Sequence, residues 1–250
     1  MKEAETSSQR LDLALVARGL VATRAKARDL IARGEVRVDG EVASKPAMGV
    51  REGQAIAVDA RAAAQVSRGA VKLAAALAHF GLDAEGKVAV DIGASTGGFT
   101  QTLLERGAAC VYAVDVGKGQ LHSSLLSDPR VVALEECDAR QLDRMIVPEP
   151  IGAIVADVSF ISLTKALPAA LGLAAAGCWL VALVKPQFEV GREGIGKGGI
   201  VRDEGLRERA LADVRDWLAA QAGWNVIGTM PSPIEGGSGN VEFLIAAVKS

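Results

Sequence analysis

The chain has few of the residues that build disulfide frameworks and metal sites. It contains three cysteines in 250 residues, and their scattered positions, Cys110, Cys137 and Cys178, suit neither paired disulfides nor a metal centre. Its two histidines are isolated and add no ligand cluster. We therefore expect free thiols, a reducing cytoplasmic compartment and no bound metal.

The chain also lacks an excess of charge of either sign. Its 28 Lys and Arg against 30 Asp and Glu give a net charge of −2, which excludes a nucleic-acid binder that works through a global basic field. Any such signal must be local. Residues 1–9 are polar and show no apolar core of the kind found in secretory signals. Residues 1–8 are expected to form a disordered tail.

Residues 166–184 carry no charge and are long enough to count as a candidate membrane span. However, Pro168, Gly172 and Gly177 interrupt the stretch. Its second half, 178–184, is typical of a fully buried strand that follows a turn at Gly177. We predict a buried helix, a turn and a strand here, and no membrane partner.

Residues 9–58 have the pattern of a small α+β unit. Two short amphipathic helices end near Gly19 and Gly34, and an alternating segment around Asp39-Gly40 is a strong hairpin signal. Nine Lys or Arg against six Asp or Glu lie between residues 10 and 52. These cations fit either a phosphate-reading patch or a solvated helix face, and charge alone favours the second. The RNA-binding candidates are Arg10, Arg18, Arg24, Lys26, Arg28, Arg33, Arg37 and, further along, Arg68.

Beyond an alanine-rich linker at 59–66, residues 67–250 alternate between apolar strands and helical stretches. The predicted strands span 88–91, 110–115, 131–134, 151–157 and 179–184, and two more follow at 224–230 and 240–248. Such alternation favours a doubly wound α/β domain with a mostly parallel sheet of seven strands.

A glycine-rich turn follows the first of these strands, from Asp91 to Phe99. Its glycines let the backbone approach a ligand, and the helix that follows offers unpaired N–H groups. Acids also come at the ends of three strands, at Asp91, Asp115 and Asp157, on the edge where such sheets bind ligands. Asp115 comes 24 residues after Asp91, a spacing that fits both a dinucleotide and an S-adenosylmethionine site.

The glycine pattern distinguishes these two ligands. Gly93-Ala-Ser-Thr-Gly97-Gly98 is not Gly-x-Gly-x-x-Gly, so the dinucleotide fingerprint fails, and the turn resembles the first motif of class I methyltransferases. That resemblance also puts Asp138 near the adenine amino group, with a helix N-cap as an equal alternative. The cofactor-binding candidates are Asp91, Gly93, Ala94, Ser95, Thr96, Gly97, Gly98, Phe99, Asp115 and Asp138.

Four charged residues near strand ends form a second set, Lys72, Asp157, Lys185 and Glu242. Taken singly, each is better explained as structural, but as a set on the edge of a methyltransferase-like sheet they indicate catalysis. Lys185 directly follows the predicted buried strand at 178–184 and is the candidate general base, with Lys72 as a second lysine nearby. The carboxylates of Asp157 and Glu242 would orient the amine.

The same residues carry a family resemblance. Ser67-Arg-Gly-Ala-Val-Lys72, Asp157-Val-Ser-Phe-Ile-Ser, Val184-Lys185-Pro-Gln-Phe-Glu and Gly239-Asn-Val-Glu242 resemble motifs of the FtsJ-like ribose 2′-O-methyltransferases. Arg10-Leu-Asp, residues 20–31 and residues 34–40 resemble the S4-type RNA-binding domain. Together they resemble the TlyA (hemolysin A) family. The resemblance implies a class I methyltransferase fold, S-adenosylmethionine as cofactor, a Lys-Asp-Lys-Glu tetrad, and 2′-O-methylation of cytidine in the RNA of ribosomal subunits. In the mechanism that it implies, Lys185 takes or shares the proton of the ribose 2′-hydroxyl, and Lys72 stabilises the developing alkoxide. Asp157 orients Lys185, and Glu242 positions Lys72 or the ribose.

Two positions depart from the family pattern. Ala70 stands where relatives usually have a second glycine, and Asp138 stands where they usually have Asn. Two other functions stay open at this level, namely a membrane-active cytolysin, as the hemolysin name implies, and an RNA-binding protein with an inactive methyltransferase domain. The chain is expected to be a monomer or a weak dimer.

Overall fold

The computed structural model describes residues 8–21, 24–59, 66–236 and 239–250. The chain divides into two compact units, Met1–Ser67 and Arg68–Ser250. Most of the predicted tail at 1–8 and of the predicted linker at 59–66 lies outside the described residues. The boundaries at 9–58 and 67–250 therefore stay predictions.

The first unit combines two short helices with small antiparallel sheets. Its elements are β1 Ser8–Arg10, α1 Leu11–Ala17, α2 Arg24–Ala32, β2 Val36–Val38, β3 Glu41–Val42, β4 Gly49–Arg51 and β5 Ile56–Val58. The strands form a pair β1-β4 and a three-stranded sheet in the order β3-β2-β5. Apolar side chains from both helices, among them Leu11, Leu15, Leu30 and Ile31, are fully buried against this framework. The α+β prediction is thus confirmed, although the pair β1-β4 was not foreseen.

The hairpin predicted at Asp39-Gly40 is present. Both residues have positive φ, +51° and +89°, which is the requirement of the two-residue turn that matches the twist of the flanking strands. Arg37 pairs with Val42, and Val38 pairs with Glu41. The turn therefore fixes the register of β2 and β3.

The second unit is a sheet with helices between its strands. Its strands are β6 Val88–Ile92, β7 Cys110–Val114, β8 Val131–Leu134, β9 Ile151–Ala156, β10 Ala174–Val184, β11 Trp224–Pro231 and β12 Phe243–Lys249. Its α-helices are α3 Gly69–Phe80, α4 Gly98–Glu105, α5 Ser123–Leu126, α6 Leu163–Ala166, α7 Pro168–Leu173, α8 Pro186–Glu189 and α9 Glu204–Ala219. Two short 3-10 turns lie at Ala139–Gln141 and Arg192–Gly194.

The seven strands form one sheet in the order β11-β12-β10-β9-β6-β7-β8. β12 runs antiparallel to both of its neighbours, and the other strand pairs are parallel. The predicted mostly parallel seven-stranded α/β sheet is therefore confirmed. β6, β7 and β8 lie side by side in the order of the chain, and β9 then pairs with the other side of β6. This reversal opens a crevice at the carboxyl ends of β6 and β9, where open α/β sheets bind their ligands.

The uncharged stretch at 166–184 folds into the sheet and its covering helices. α6 and α7 supply the helical part, and β10 lies between β9 and β12 with its residues 178–184 buried. The predicted turn at Gly177 is wrong, because the strand already begins at Ala174. Gly177, with a φ of +75°, lies within a shift of register between Ala174 and Trp179. Within the described part of the chain, no helix is both long and apolar enough to cross a membrane.

Candidate active site

Gly93 lies at the point where the crevice opens, directly after β6. Its φ is +80°, and a Cβ atom on it would come within 2.6 Å of the backbone oxygen of Asp157. The residue must therefore be glycine for both steric and conformational reasons. Its backbone N–H donates to Val114 O at 2.9 Å, and Asp157 N donates to Ile92 O at 2.9 Å. These bonds hold the ends of β6, β7 and β9 together around the turn.

Asp115 fixes the turn from the neighbouring strand end. Its Oδ2 accepts from Ser95 N at 2.8 Å, and its Oδ1 accepts from Gly117 N at 2.7 Å. Each carboxylate oxygen has a second lone pair, so Asp115 can also accept from ligand hydroxyls. This is consistent with the prediction of a hydroxyl-binding acid at this position.

Asp91 lies beneath the turn and is fully buried. Thr100 Oγ1 donates to its Oδ2 at 2.7 Å, whereas Oδ1 has no hydrogen-bond partner among the described residues. Burial, reinforced by the charges of Asp157 and Asp115, raises the pKa of Asp91 to about 7. Desolvation therefore disfavours the charged form of Asp91 in its position beneath the turn.

The structure shows one of the two roles that the sequence left open for Asp138. Its side chain accepts from Arg140 N and so caps the 3-10 turn Ala139–Gln141. It also pairs with the Arg140 guanidinium, whose hydrogen bonds hold the pKa of the carboxyl at about 2. The residue nevertheless lines the crevice. The N-cap interpretation is thus correct, and the adenine contact stays a proposal.

The crevice is a cavity of about 540 Å³, within the usual size range of small-molecule sites. Four of the ten cofactor-binding candidates line it, namely Gly93, Ser95, Asp115 and Asp138. The other six, all in the described part of the chain, are Asp91, Ala94, Thr96, Gly97, Gly98 and Phe99, and the cavity lining does not include them. Most of these six are buried, because the turn must pack onto α4 and its neighbours to hold its shape.

The four candidate catalytic residues form two lysine–carboxylate pairs. Lys72 Nζ donates to Glu242 Oε2 at 2.6 Å, and the two side chains are 9% and 2% exposed. Lys185 Nζ lies 2.6 Å from Asp157 Oδ1 and donates to Ser159 Oγ at 3.0 Å. The Lys72–Glu242 pair is buried, and a buried ion pair carries a desolvation cost, which points to a role beyond stability; Lys185 and Asp157 are 11% and 23% exposed.

The register of the sheet explains why the pairs lie side by side. Val184 of β10 pairs with Phe243 of β12 in antiparallel register. Lys185 directly follows Val184, and Glu242 directly precedes Phe243. Because β12 runs in the opposite direction, its beginning lies on the same edge as the carboxyl ends of β9 and β10. Asp157 follows β9 on that edge, and Lys72 reaches it from the first turn of α3.

Phe160 is a site residue that the sequence argument left without a role. Its side chain is 92% exposed on the cavity lining, and its ring centroid lies 5.2 Å from that of Phe188. Its φ of +67° is unusual for an aromatic residue. An exposed aromatic ring held in a strained conformation beside a reaction centre is a candidate for ligand contact. In the sequence, the one feature that marked Phe160 was its position in the motif Asp157-Val-Ser-Phe-Ile-Ser.

Glu189 and Asn240 form hydrogen bonds that connect the segments next to the candidate catalytic residues. Glu189 accepts from Ser162 Oγ at 2.6 Å and from Leu163 N at 2.9 Å, so it ties the segment after Lys185 to the segment after Asp157. Burial raises the pKa of this carboxyl. Asn240 accepts from Val201 N at 3.2 Å and donates to Gly199 O at 3.0 Å. It therefore anchors the glycine-rich segment before Val201 close to Glu242.

The basic candidates of the first unit are mostly exposed but already make internal bonds. Arg10 and Arg24 both bind the buried Asp12, at 3.0 and 2.9 Å, and these arginines, Arg10 above all, hold the pKa of Asp12 far below its usual range. Arg18 donates to two backbone oxygens, and Arg37 donates to Gly40 O.

Arg28 is exposed, whereas Lys26 and Arg33 are half-buried. Arg68 belongs to the second unit. The structure therefore does not bring all eight candidates into one patch of a single unit.

Comparisons with known proteins agree with this geometry. The FtsJ-like methyltransferase family matches residues 65–249, and the S4 domain matches residues 9–56. The 16S/23S rRNA (cytidine-2′-O)-methyltransferase TlyA of Mycobacterium tuberculosis is 48% identical over 237 residues, which cover 94% of this chain and 88% of that protein. Hemolysin A of Brachyspira hyodysenteriae is 40% identical over 236 residues, covering 94% of this chain and 98% of that protein.

A solved structure gives the same result. A Streptococcus thermophilus protein with a hemolysin name superposes with a TM-score of 0.73 at 40% sequence identity, covering 98% of this chain and 90% of that one. The match extends over both units, and the family assignment covers the sheet and all four candidate catalytic residues. The chain therefore belongs to the FtsJ-like methyltransferase family and carries an S4 domain before its methyltransferase domain.

Proposed function

We propose that the protein transfers a methyl group from S-adenosylmethionine to the ribose 2′-hydroxyl of cytidine in ribosomal RNA. The observation that carries this proposal is the pair of buried lysine–carboxylate contacts, Lys72–Glu242 and Lys185–Asp157, on the edge of the sheet that holds the glycine turn. The relative that is 48% identical bears the name of that activity.

The crevice fits the proposed cofactor. A turn in which Gly93 leaves no room for a side chain, together with a cavity of about 540 Å³, suits a ligand of nucleoside size. Asp115 would hold ribose hydroxyls, and Asp138 or its neighbours would face the base. S-adenosylmethionine, when bound, supplies an electrophilic methyl group on a positively charged sulfur. Asp157 lines the cavity, and its carboxylate suits a ligand with positive charge.

The chain's own residues would prepare the RNA hydroxyl for attack. Lys185, held by Asp157 and Ser159, would act as the neutral amine, and its lone pair would take or share the proton of the 2′-hydroxyl as the methyl group passes to that oxygen. Lys72, held by Glu242, would place a cation where negative charge develops on that oxygen. Both amines are fixed by carboxylates before the substrate arrives, so alignment is built into the fold and costs little at the moment of reaction.

The first unit would supply RNA affinity. Exposed arginine side chains on α2 and around the hairpin can contact phosphates, and Arg28 is exposed on the same helix as Arg24. We expect these contacts to read the shape of the RNA more than its sequence. The proposal places the protein in the cytoplasm with ribosomal subunits as partners, acting as a monomer or a weak dimer, with an RNA-binding domain at 9–58 and a catalytic domain at 67–250.

The membrane-active alternative gains no support from the fold. Residues 166–184, which were the candidate span, supply helices and a central strand of the sheet. The inactive-domain alternative is tested directly by cofactor binding.

The test is transfer of labelled methyl from S-adenosylmethionine to purified small and large ribosomal subunits. Intact protein is compared with Lys185→Ala and with Lys165→Ala, which removes an exposed lysine of α6. We expect Lys185→Ala to lower the transfer rate by about 10²- to 10⁴-fold, the range for a general base, with cofactor binding by calorimetry and the Lys165→Ala rate both unchanged. Cofactor binding without transfer to either subunit would exclude this substrate. Failure to bind the cofactor would leave only the RNA-binding function.

A further inference from the structure

The loop that follows β7 forms one wall of the cavity. Val116, Gly117 and Gln120 all line it. The loop also touches the glycine turn. Ser95 Oγ donates to Gln120 Oε1 at 3.1 Å, and a side chain at Gly97 would collide with Leu121. The position of this loop therefore helps to set the shape of the site.

A single carboxylate holds the loop by its backbone. Glu135, which directly follows β8, accepts three consecutive backbone N–H groups, from Gly119 at 2.8 Å, Gln120 at 2.7 Å and Leu121 at 3.1 Å. These bonds hold the pKa of Glu135 below its usual range. Three neighbouring N–H groups that converge on one anion require a tightly curved backbone, and the positive φ of Gly119, +63°, contributes to it.

The neighbouring acid has no comparable role. Glu136 makes an ion pair with Lys118 at 2.8 Å, and the two side chains are 62% and 77% exposed. Pairs this exposed contribute little. Two adjacent glutamates thus face the same loop, but Glu135 alone accepts from Gly119, Gln120 and Leu121 among the described residues. This difference provides a matched control.

We propose that Glu135 is a positioning residue for the cofactor, which holds the loop 116–122 closed against the glycine turn through its three backbone hydrogen bonds. The inference rests on the proposed function for the identity of the ligand, but not for the effect on the loop. Glu135 does not line the cavity, so it acts through Gln120 and Leu121. Its loss should therefore weaken cofactor binding and leave the chemical step intact.

The test combines amide exchange with binding, using Glu135→Ala, Glu135→Gln and Glu136→Gln in the full chain. Glu135→Gln keeps one oxygen for Gln120 and Leu121 but turns an NH₂ group toward Gly119, so it should have an intermediate effect. In the absence of cofactor, we expect faster hydrogen exchange at 119–121 in Glu135→Ala, with strand amides in β6 and β9 unchanged. The Kd for S-adenosylmethionine by calorimetry should rise about 10- to 100-fold, the range for hydrogen bonds to a charged group. Glu136→Gln should match the intact protein in both measurements.

Kinetics separate positioning from a merely structural role. In methyl transfer, the KM for cofactor should rise with the Kd, while kcat at saturating cofactor and the KM for RNA stay within about threefold. Unchanged exchange at 119–121 in Glu135→Ala, or unchanged Kd despite faster exchange, would overturn the proposal. If the intact protein binds no S-adenosylmethionine, the proposed function fails and with it the cofactor part of this inference, whereas the exchange result still decides whether Glu135 holds the loop.

Discussion

The two units both place carboxylates beside cationic side chains, but they bury the partners differently. In the first unit the carboxylate of Asp12 is fully buried, while Arg10 and Arg24 are about half exposed. In the second unit Lys72 and Glu242 are both buried, and so are most of Lys185 and Asp157. The first arrangement is a brace whose cations remain in water. In the second, both charges of the Lys72–Glu242 pair are buried, and those of the Lys185–Asp157 pair are largely buried, near a ligand crevice.

This difference indicates that the ion pairs of the first unit stabilise its fold, whereas the buried pairs of the second unit serve the reaction. An exposed guanidinium can brace a buried acid and still contact a phosphate, since it has five N–H donors. A buried ammonium cannot also contact a phosphate at the surface. The attraction within a buried ion pair often fails to offset the desolvation cost, so stability alone does not explain why the pair is there. The comparison predicts that breaking the buried pairs affects folding and catalysis together, whereas changes among the arginines affect RNA affinity in small steps.

The largest effect is expected from Glu242→Gln, which leaves the Lys72 charge buried without a carboxylate. Loss of one partner of a buried pair costs about 3–5 kcal/mol. Denaturant unfolding followed by tryptophan fluorescence measures this cost in the second unit, because all three tryptophans, Trp179, Trp217 and Trp224, lie there. The double variant Lys72→Met with Glu242→Leu should recover most of the stability but no methyl transfer. A loss of less than about 1 kcal/mol in the unfolding free energy of Glu242→Gln would show that the Lys72–Glu242 pair contributes no more than a solvent-exposed ion pair.

The second prediction concerns Asp91 and pH. Burial raises its pKa to about 7 in the folded protein, above an unfolded value of about 4. Between pH 4 and 7, Asp91 is therefore protonated in the folded state and ionised in the unfolded state. The stability that comes from this bound proton is fully present below pH 4 and is lost as the pH rises through 7. The loss has a slope of up to about 1.4 kcal/mol per pH unit. Unfolding free energies of intact protein and Asp91→Asn, measured from pH 5 to 8, should diverge in favour of Asp91→Asn as pH rises. Parallel curves would contradict this assignment.

The third prediction compares two arginines of α2. Arg24 braces Asp12, whereas Arg28 is exposed on the same helix. If both contact RNA phosphates, each change to alanine should reduce the salt dependence of RNA binding by about one unit of slope. Arg24→Ala should also destabilise the first unit, as seen by faster amide exchange in α1, and Arg28→Ala should not. Equal exchange in the two variants would show that the brace is unimportant.

The smallest effect is expected at Phe160. Glycine tolerates its φ of +67°, so Phe160→Gly should stabilise the second unit by about 1 kcal/mol in denaturant unfolding. The same change removes the exposed ring beside the reaction centre, and we expect slower methyl transfer. Phe160→Leu should keep the strain and part of the apolar contact. A variant that is more stable and equally active would mean that the strained ring serves no function.

Local features of the sequence predicted most of the fold. Apolar runs that end in Asp91, Asp115 and Asp157 identified the central strands, and Asp39-Gly40 identified the hairpin, because both signals depend on neighbouring residues only. The pairing of Lys72 with Glu242 spans 170 positions, and no periodicity connects such residues. It was reached only by resemblance to a family.

Other features could not be predicted because they depend on tertiary contacts. The three-residue strand β1 pairs with β4 across 39 or more positions, and a segment so short gives no alternating pattern. Ser8 to Arg10 are polar and exposed. Likewise, the role of Glu135 depends on how the loop after β7 curves back over β8. Charge in the sequence does not distinguish Glu135 from Glu136, whereas backbone geometry does.

Ribose methylation by the lysine–carboxylate pairs is tested by nucleoside mass spectrometry of ribosomal RNA after reaction with S-adenosylmethionine. Subunits are treated with intact protein or with Lys72→Met, digested to nucleosides and analysed for methylated products. We expect 2′-O-methylcytidine with the intact protein and none above background with Lys72→Met. Methyl groups on a base instead of a ribose, or equal 2′-O-methylcytidine from both proteins, would contradict the assignment of the lysine–carboxylate pairs to ribose methylation.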